Sequence, residues 1–506
     1  MQKNKLFELS FESIQTDGNI TAEFVCEGEK NCVPGFYAGD GVYKVRFLPK
    51  KVGTYTWNVQ GVVSTSGTEK CEESDLPGMV KADGKAFRFE NGQLFHPFGT
   101  TVYALINQSD ELIEQTMQTL EKSPFNKLRM CVFPKDYDFN KNEPTCYAFE
   151  KNEDGTWDPS RPVYAFWDAL DRHIVRLGEM GIQIDLILFH PYDRWGFDGM
   201  GLEKDKQYLS YLLRRLAAYP HIWWSLANEY ELTKRTQAEW DEIEAFVAGN
   251  DPYGHLLSCH NIFKIWDSTR PLTTHASIQS KDLPRLTSWV QRWNKPVMLD
   301  ECAYEGNLEH IWGCITGQEM TRRFWKAICS GAYCTHGETF YADDDVLWWA
   351  RGGVLKGESP ARIAFCRKIV ESLPGHLEGE LSVLHGLLHL REVPETERET
   401  VIAQAGALNP GFSNVIRALL ESEDAESYAF NETVYNAHIG TDCYLHFYDT
   451  RPLAKEHLTL PEDRTYTIHL IDTWNMTIET VAAGISGSYE LALPSRENMA
   501  MLALAE

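Results

Sequence analysis

The sequence has no CxxC pair, no run of about 18 uninterrupted apolar residues, no low-complexity tract and no repeat of about 20 to 50 residues. The missing apolar run and the negative mean hydropathy argue against a spanning helix, so no membrane partner is expected. Basic residues are also scarce, with 48 Lys plus Arg against 73 Asp plus Glu and a net charge of −25. A chain this acidic repels the phosphate backbone that dominates nucleic-acid affinity, so nucleic acid is not an expected partner. The 12 cysteines are scattered singly, and Cys131, Cys329 and Cys366 lie inside apolar runs, where a thiol acts as a small hydrophobe. The segment MQKNKLFELSFESI has two lysines but then alternates apolar and polar residues, unlike a secretory leader. Together these features lead to an expectation of a soluble protein of the reducing cytoplasm without structural disulfides.

What is present is ample core material: 43% hydrophobic residues in 506 exclude global disorder and call for more than one domain. From Phe7 to Val63 the pattern alternates with period two, broken by Gly, Asp, Asn and Pro, which predicts an antiparallel sandwich over 1–80. The stretch Cys71 to Gly84 loses that rhythm and marks a boundary. After Lys85 short apolar runs alternate with amphipathic stretches. The runs starting at Phe98, Lys127, Ile184, Ile222, His255, Leu272, Lys295 and Gly331 read as eight parallel strands. Helical spacing joins Phe166, Leu170, Ile174 and Leu177, and also Tyr208, Leu212, Leu216 and Tyr219, while a last helix is expected from Ser359 to Leu373. The span 85–374 therefore predicts a closed (β/α)8 TIM barrel, an α/β fold. Alternating runs after Pro374 predict a second β-sandwich over 375–506, with Thr396 to Asn414 fitting least well.

Active sites of such barrels form at the carboxyl ends of the strands. Polar residues there are Arg129 on the second strand, His190 ending the third, Asn228 and Glu229 ending the fourth and His260 ending the fifth. His275 lies on the sixth, Asp300 and Glu301 end the seventh, and His336 and Glu338 end the eighth. Glu229 and Glu301 lie on opposite strands and point into one cleft. Two opposed carboxylates suit glycoside cleavage, one protonated to release the leaving oxygen and one ionised to attack the anomeric carbon.

The endings Ala227-Asn228-Glu229 and Asp300-Glu301 resemble those of clan A glycoside hydrolases, which are retaining enzymes on this barrel. More narrowly, HPYDRWGFDG from His190, SLANEY from Ser225, DECAYEGN from Asp300 and GGVLKGESPARI from Gly352 are similar to hydrolases related to the apiosidase-like family, with a sandwich on either side of the barrel. The resemblance spans essentially the whole chain. It implies Glu229 as acid/base, Glu301 as nucleophile, Asn228 as donor to the sugar 2-hydroxyl, and β-D or equivalent α-L linkages. Glu305 is the alternative nucleophile, ranked below Glu301 because Glu301 directly ends the apolar strand.

Arg129, inside an apolar strand, needs a partner, either Glu301 or a structural bridge to Asp185 or Asp300. His190 serves either the substrate or a strand cap, and His260 and His275 either touch sugar or are satisfied core histidines. Trp195, Trp348 and Trp349 are candidates for stacking on sugar faces, and Tyr304 and Glu305 are further candidate substrate-binding residues. Asp193, Arg194 and Arg351 share the loops and can fix hydroxyls or remain solvated. A zinc site from His190, His260, His275 and a carboxylate has no HxH or HExxH spacing behind it, so no metal or cofactor is expected. The resulting expectation is a retaining glycosidase acting from the end of short oligosaccharides or glycosides. The competing readings are a non-catalytic carbohydrate-binding protein and a metal-dependent hydrolase. The sandwiches suit clamping the barrel or an interface between copies, so a homo-oligomer is among the expectations.

Overall fold

The computed structural model describes residues 1–431 and 433–506. Contacts group the chain into two compact units, Met1–Ser280 with Lys295–Met320 and Cys334–Ala364, and Lys281–Asn294 with Thr321–Tyr333 and Phe365–Glu506.

In the first unit, the strands Phe7–Glu12, Val42–Phe47 and Phe36–Gly39 form one sheet, and Glu29–Pro34, Ile20–Cys26, Gly53–Gly61 and Thr65–Cys71 another. Alternate residues of Ile20–Cys26 are buried, as period-two patterning requires, and Phe24 stacks on Phe47 with ring centres 4.1 Å apart. Arg46 leaves this sandwich to reach Asp171 with both terminal nitrogens, at 2.9 and 2.8 Å, and Arg215 meets the same carboxylate at 3.0 and 2.7 Å. Breaking such a buried network by removing one charge costs about 3–5 kcal/mol, so it ties the sandwich firmly to the barrel helices carrying Asp171 and Arg215.

The barrel comprises β1 (Phe98–Thr101), β2 (Lys127–Cys131), β3 (Gln183–Phe189), β4 (Ile222–Ala227), β5 (Leu257–Ser258), β6 (Ala276–Gln279), β7 (Val297–Glu301) and β8 (Tyr333–His336). They hydrogen-bond in the order β5-β4-β3-β2-β1-β8-β7-β6. A parallel bridge from His260 to Ser277 closes β5 against β6. Gly99 of β1 pairs with Thr335 of β8, and a Cβ on it would lie 2.6 Å from Thr335 Oγ1, so the closure requires glycine there. β3 and β4 are buried at every position, which is why they read as unbroken apolar runs. Between strands lie helices including α1 (Asp110–Lys122), α2 (Tyr164–Glu179), α3 (Leu202–Leu216) and α4 (Gln237–Asn250), the last opened by a Thr236–Glu239 capping box. A small sheet of Val80–Asp83, Ala86–Phe89 and Leu94–Phe95 seals the floor, with the Phe87 ring 4.9 Å from that of Trp223 and 5.5 Å from that of His275.

The sixth strand starts at Ala276, not Leu272: at Thr274 the Leu257 N–H is taken by the Thr274 hydroxyl at 2.8 Å in place of a backbone ladder bond. His275 thus precedes its strand at the floor of the barrel. The second unit has a six-stranded antiparallel sheet and a two-stranded one, Lys455–Thr459 with Ser488–Ala492, which share a core including Leu458, Leu491, Tyr466, Ile468 and Met501. Strands are not continuous through 375–506: Val383–Leu388, Glu395–Leu408, Pro410–Glu421 and Ala425–Asn431 are helices. Glu395–Leu408 has three Glu and three Ala among its 14 residues, which favour helix over strand.

Candidate active site

Glu229 follows β4 with φ of +52°, a left-handed conformation that turns its side chain away from the strand direction, and it is 4% exposed. Its Oε2 accepts a hydrogen bond from the Tyr192 hydroxyl, and with the Gln279 amide nitrogen turned inward Gln279 donates to Oε1 at 3.0 Å. Burial first, and the neighbouring Glu301 second, push its carboxyl up to about 7.

Glu301 ends β7 and is 7% exposed. The Tyr103 hydroxyl donates to its Oε1, Arg129 Nη1 lies 3.7 Å from the same atom and His260 Nε2 3.9 Å. Asn228 Oδ1 lies 3.0 Å from the Tyr103 oxygen and accepts from Arg129 Nη2 at 3.4 Å, while its Nδ2 has no protein partner. Tyr103 thus links the residue before Glu229 to Glu301, and burial and the Glu301 charge raise its own hydroxyl far above the phenol range.

Both partners weighed for Arg129 are engaged. Its Nε lies 3.3 Å from Asp185 and 3.9 Å from Asp300, and its other end faces Glu301. Beneath it Lys127 joins Asp185 and Asp300 at 2.8 Å each, and Ser277 and Thr335 donate to Asp300 at 2.6 and 2.7 Å. Burial alone would raise Asp300, but Lys127 and Arg129 hold it far below the carboxylate range. This fully buried layer fixes the guanidinium that faces Glu301.

Lys135, after β2, is buried with its Nζ 3.4 Å from the Tyr103 ring centre, 4.3 Å from that of Tyr192, 5.0 Å from Tyr137 and 5.8 Å from Trp349. Burial lowers its ammonium despite Glu229 and Glu301 nearby. Trp349 forms the adjoining wall, with ring centres 5.7 Å from Tyr103, 5.4 Å from Tyr304 and 5.1 Å from Trp312. Burial and the neighbouring Glu301 raise the Tyr304 phenol well above its ordinary range.

The structure gives several expected ligands other work. His190 Nε2 lies 3.2 Å from Phe133 O, the strand-cap arrangement, leaving Nδ1 without a protein partner, and burial lowers the ring to about 3. His260 is fully buried at the cleft with neither ring nitrogen hydrogen-bonded. His275 packs on Phe87 and Trp223 at the floor, away from the strand ends. Asp193 spends its carboxylate on the backbone N–H groups of Trp195, Gly196 and Asp198, and Arg194 pairs with Asp136 and Glu143. Trp195 donates to Glu143 at 2.8 Å, and Trp348 is a core residue donating to Thr100 at 2.8 Å. Arg351 donates to Gln108 at 3.0 Å. Glu305, the alternative nucleophile, binds the backbone of Glu358 and Ser359 at 2.7 and 3.1 Å and the Ser359 hydroxyl at 2.5 Å. Glu338 accepts from the backbone of Lys356 and Gly357 at 2.5 and 2.7 Å, and burial pushes it up to about 8. The three histidines weighed for zinc and set aside do not converge, His275 packing on Phe87 and Trp223 at the floor. Tyr103, Lys135, Tyr192 and Gln279 went unrecognised in the sequence. Their one signal was position, each lying at or just beyond the carboxyl end of a strand.

A (β/α)8 barrel with two adjoining carboxylates at its carboxyl end, one whose pKa burial raises and one beside a guanidinium, defines the class as a glycoside hydrolase. The apiosidase-like catalytic domain matches residues 81–365, and two domains of unknown function, DUF5060 and DUF5605, match residues 1–61 and 433–503. The chain belongs to the apiosidase-like family. A Bacteroides vulgatus ATCC 8482 protein assigned to the glycoside hydrolases is 30% identical, with a TM-score of 0.85 over 100% of this chain and 99% of the other. A glycoside hydrolase family 5 protein from the same organism shares the fold at 15% identity, with a TM-score of 0.60 over 86% of this chain and 95% of the other. Among curated proteins none matches. No helix among the described residues is long and apolar enough to cross a membrane.

Proposed function

We propose that the protein is a retaining, exo-acting glycosidase in which Glu301 is the nucleophile and Glu229 the acid/base. The observation carrying this reading is the unlike setting of the two carboxylates. Glu229 keeps its proton near neutrality, whereas Glu301 lies beside Arg129 and accepts from Tyr103. In the first step a Glu301 oxygen bonds to the anomeric carbon as the bond to the leaving oxygen breaks, and Glu229 gives that oxygen its proton. In the second, Glu229 takes a proton from water, whose oxygen displaces Glu301 from the anomeric carbon. Asn228 Nδ2 is the donor for the 2-hydroxyl, and Trp349 the platform for the ring.

Exo action is supported by the rim. The loop after β2 is tied to that after β3 through Arg194 with Asp136 and Glu143, and Phe139 packs on Trp312 and Trp349 with ring centres 5.8 and 5.9 Å apart. These ties restrict a groove to a pocket for a terminal sugar, of β-D or equivalent α-L linkage. Along the chain we take 1–80, 85–374 and 375–506 as the three folding regions. We place the protein in a reducing cytoplasm, on the scatter of its 12 cysteines without a CxxC pair.

The test is a panel of aryl glycosides that includes apioside, glucoside, galactoside, xyloside and arabinofuranoside in both anomers, followed by the matching activated 2-fluoro glycoside. Wild type should gain the mass of one glycosyl group and Glu301→Gln should not. Equal labelling of both would remove Glu301 from the nucleophile's role, and inverted product by proton NMR would end the retaining reading.

A further inference from the structure

Behind the Trp349 wall lies a second cluster that the glycosidase reading does not use. His336 ends β8 and is 0% exposed, Glu338 follows at 1%, and Glu305 comes from the loop after β7 at 2%. One ligand-type atom from each lies within 4.8 Å of the others, and His336 Nε2 is 4.0 Å from Glu338 Oε2. That Nε2 is buried without a hydrogen-bond partner. An imidazole nitrogen sealed from water and aimed at a carboxylate at non-bonding distance is a costly arrangement unless a third party lies between them.

We propose that Glu305, His336 and Glu338 bind one divalent transition cation of the zinc or manganese kind. Zinc–ligand distances of about 2.0–2.2 Å put ligand atoms up to about 4.4 Å apart, so the cluster closes on an ion with small side-chain shifts. The mixed donor set selects the metal class, because imidazole with carboxylates suits zinc and manganese, whereas calcium and magnesium favour oxygen alone.

The surroundings fit. His336 Nδ1 lies 3.0 Å from Thr100 Oγ1, which also accepts from Trp348 Nε1 at 2.8 Å. A hydroxyl oxygen has two lone pairs and can accept from both; in the tautomer with the hydrogen on Nδ1, Nε2 is bare for a ligand bond. Stacking on Phe125, with ring centres 4.7 Å apart, fixes the ring plane. Backbone N–H groups of Lys356, Gly357, Glu358 and Ser359 occupy one side of the two carboxylates, orienting them and leaving further lone pairs towards His336. Gly357 is required at this spot, since a Cβ there would lie 2.3 Å from Glu338 Oε2 and 2.5 Å from Glu305 Oε2. The cation ties the loop bearing Tyr304, the end of β8 and the turn before the helix Ser359–Glu371, and so buttresses the aromatic wall of the cleft.

The test uses the full chain, stripped with a chelator and dialysed. Zn2+ and Mn2+ should each bind at about one equivalent and raise the melting temperature progressively with concentration, while Ca2+ and Mg2+ should not. Glu338→Gln and His336→Gln should each weaken Zn2+ binding at least about tenfold. Because other histidines and cysteines can take zinc, stoichiometric binding that survives both substitutions overturns the proposal, as does binding below about one-tenth of an equivalent. Crystals of the wild-type chain soaked in Zn2+ supply a measurement independent of variant folding. An anomalous peak bonded to His336 Nε2 is expected, and a peak only elsewhere or none refutes the site. These readouts need no turnover, so they stand whether or not the carboxylate roles above hold.

Discussion

Tyr192 donates its hydroxyl hydrogen to Glu229 Oε2, while Lys135, in contact with the same tyrosine ring, holds its ammonium 4.3 Å from the ring centre. Glu229 is thus set between a neutral donor and a cation that both favour its ionisation, with burial and Glu301 pressing the other way.

The pH profile follows from that balance. An acid held protonated to about 7 must lose its proton as pH rises through that value, so kcat/KM should fall on an alkaline limb near 7. Since the folded chain keeps a proton that the unfolded chain releases near the ordinary carboxyl range, this group's contribution to stability also declines as pH rises towards 7. Lys135→Met removes a cation that lowers Glu229 and should move the limb to higher pH. Glu301→Gln should lower Glu229, read by carbon-13 NMR of the carboxyl. A limb unmoved by Lys135→Met would show that the lysine does not act on the acid.

Tyr103→Phe tests the link between the two carboxylate sides. The hydroxyl donates to Glu301 and also lies 3.3 Å from Arg129 Nη1. Hydrogen bonds to charged groups are worth about 1.5–3 kcal/mol, so kcat/KM should drop about 10- to 100-fold. The ring packing is retained, and circular dichroism melts should stay close to wild type. Full activity in the variant would remove Tyr103 from the positioning of Glu301.

The barrel was legible because strands buried on both faces announce themselves as apolar runs, and each of the eight runs contains or adjoins an observed strand. Glu229 and Glu301 stood out because a carboxylate directly after such a run has few structural reasons to be there. What lay beyond reach depended on turns and on side-chain direction. His275 read as a strand residue until the Thr274 hydroxyl took the Leu257 N–H, which set the start of β6 after it. Trp348 and Trp349 are equal in sequence, yet one donates into the core at Thr100 and the other walls the cleft. Lys135 looked like an ordinary loop lysine, and only the convergence of rings from β1, β2, β3 and β8 loops shows why it is buried. The helices of 383–431 were hidden by reading short apolar clusters as alternation.

The left-handed backbone at Glu229 has a price that the carboxylate justifies and alanine would not. A residue with a Cβ in this region gives up about 1–2 kcal/mol that glycine does not. Of two inactive replacements, Glu229→Gly should therefore melt higher than Glu229→Ala, reversing the usual order in which alanine stabilises by narrowing the unfolded chain. An equal or lower melting point for the glycine variant would mean that the surrounding fold relaxes the turn once the side chain is gone. With the acid/base role proposed for Glu229, chemistry and endurance pull this single position in opposite directions, and the glutamate found there is the choice that endurance alone would not make.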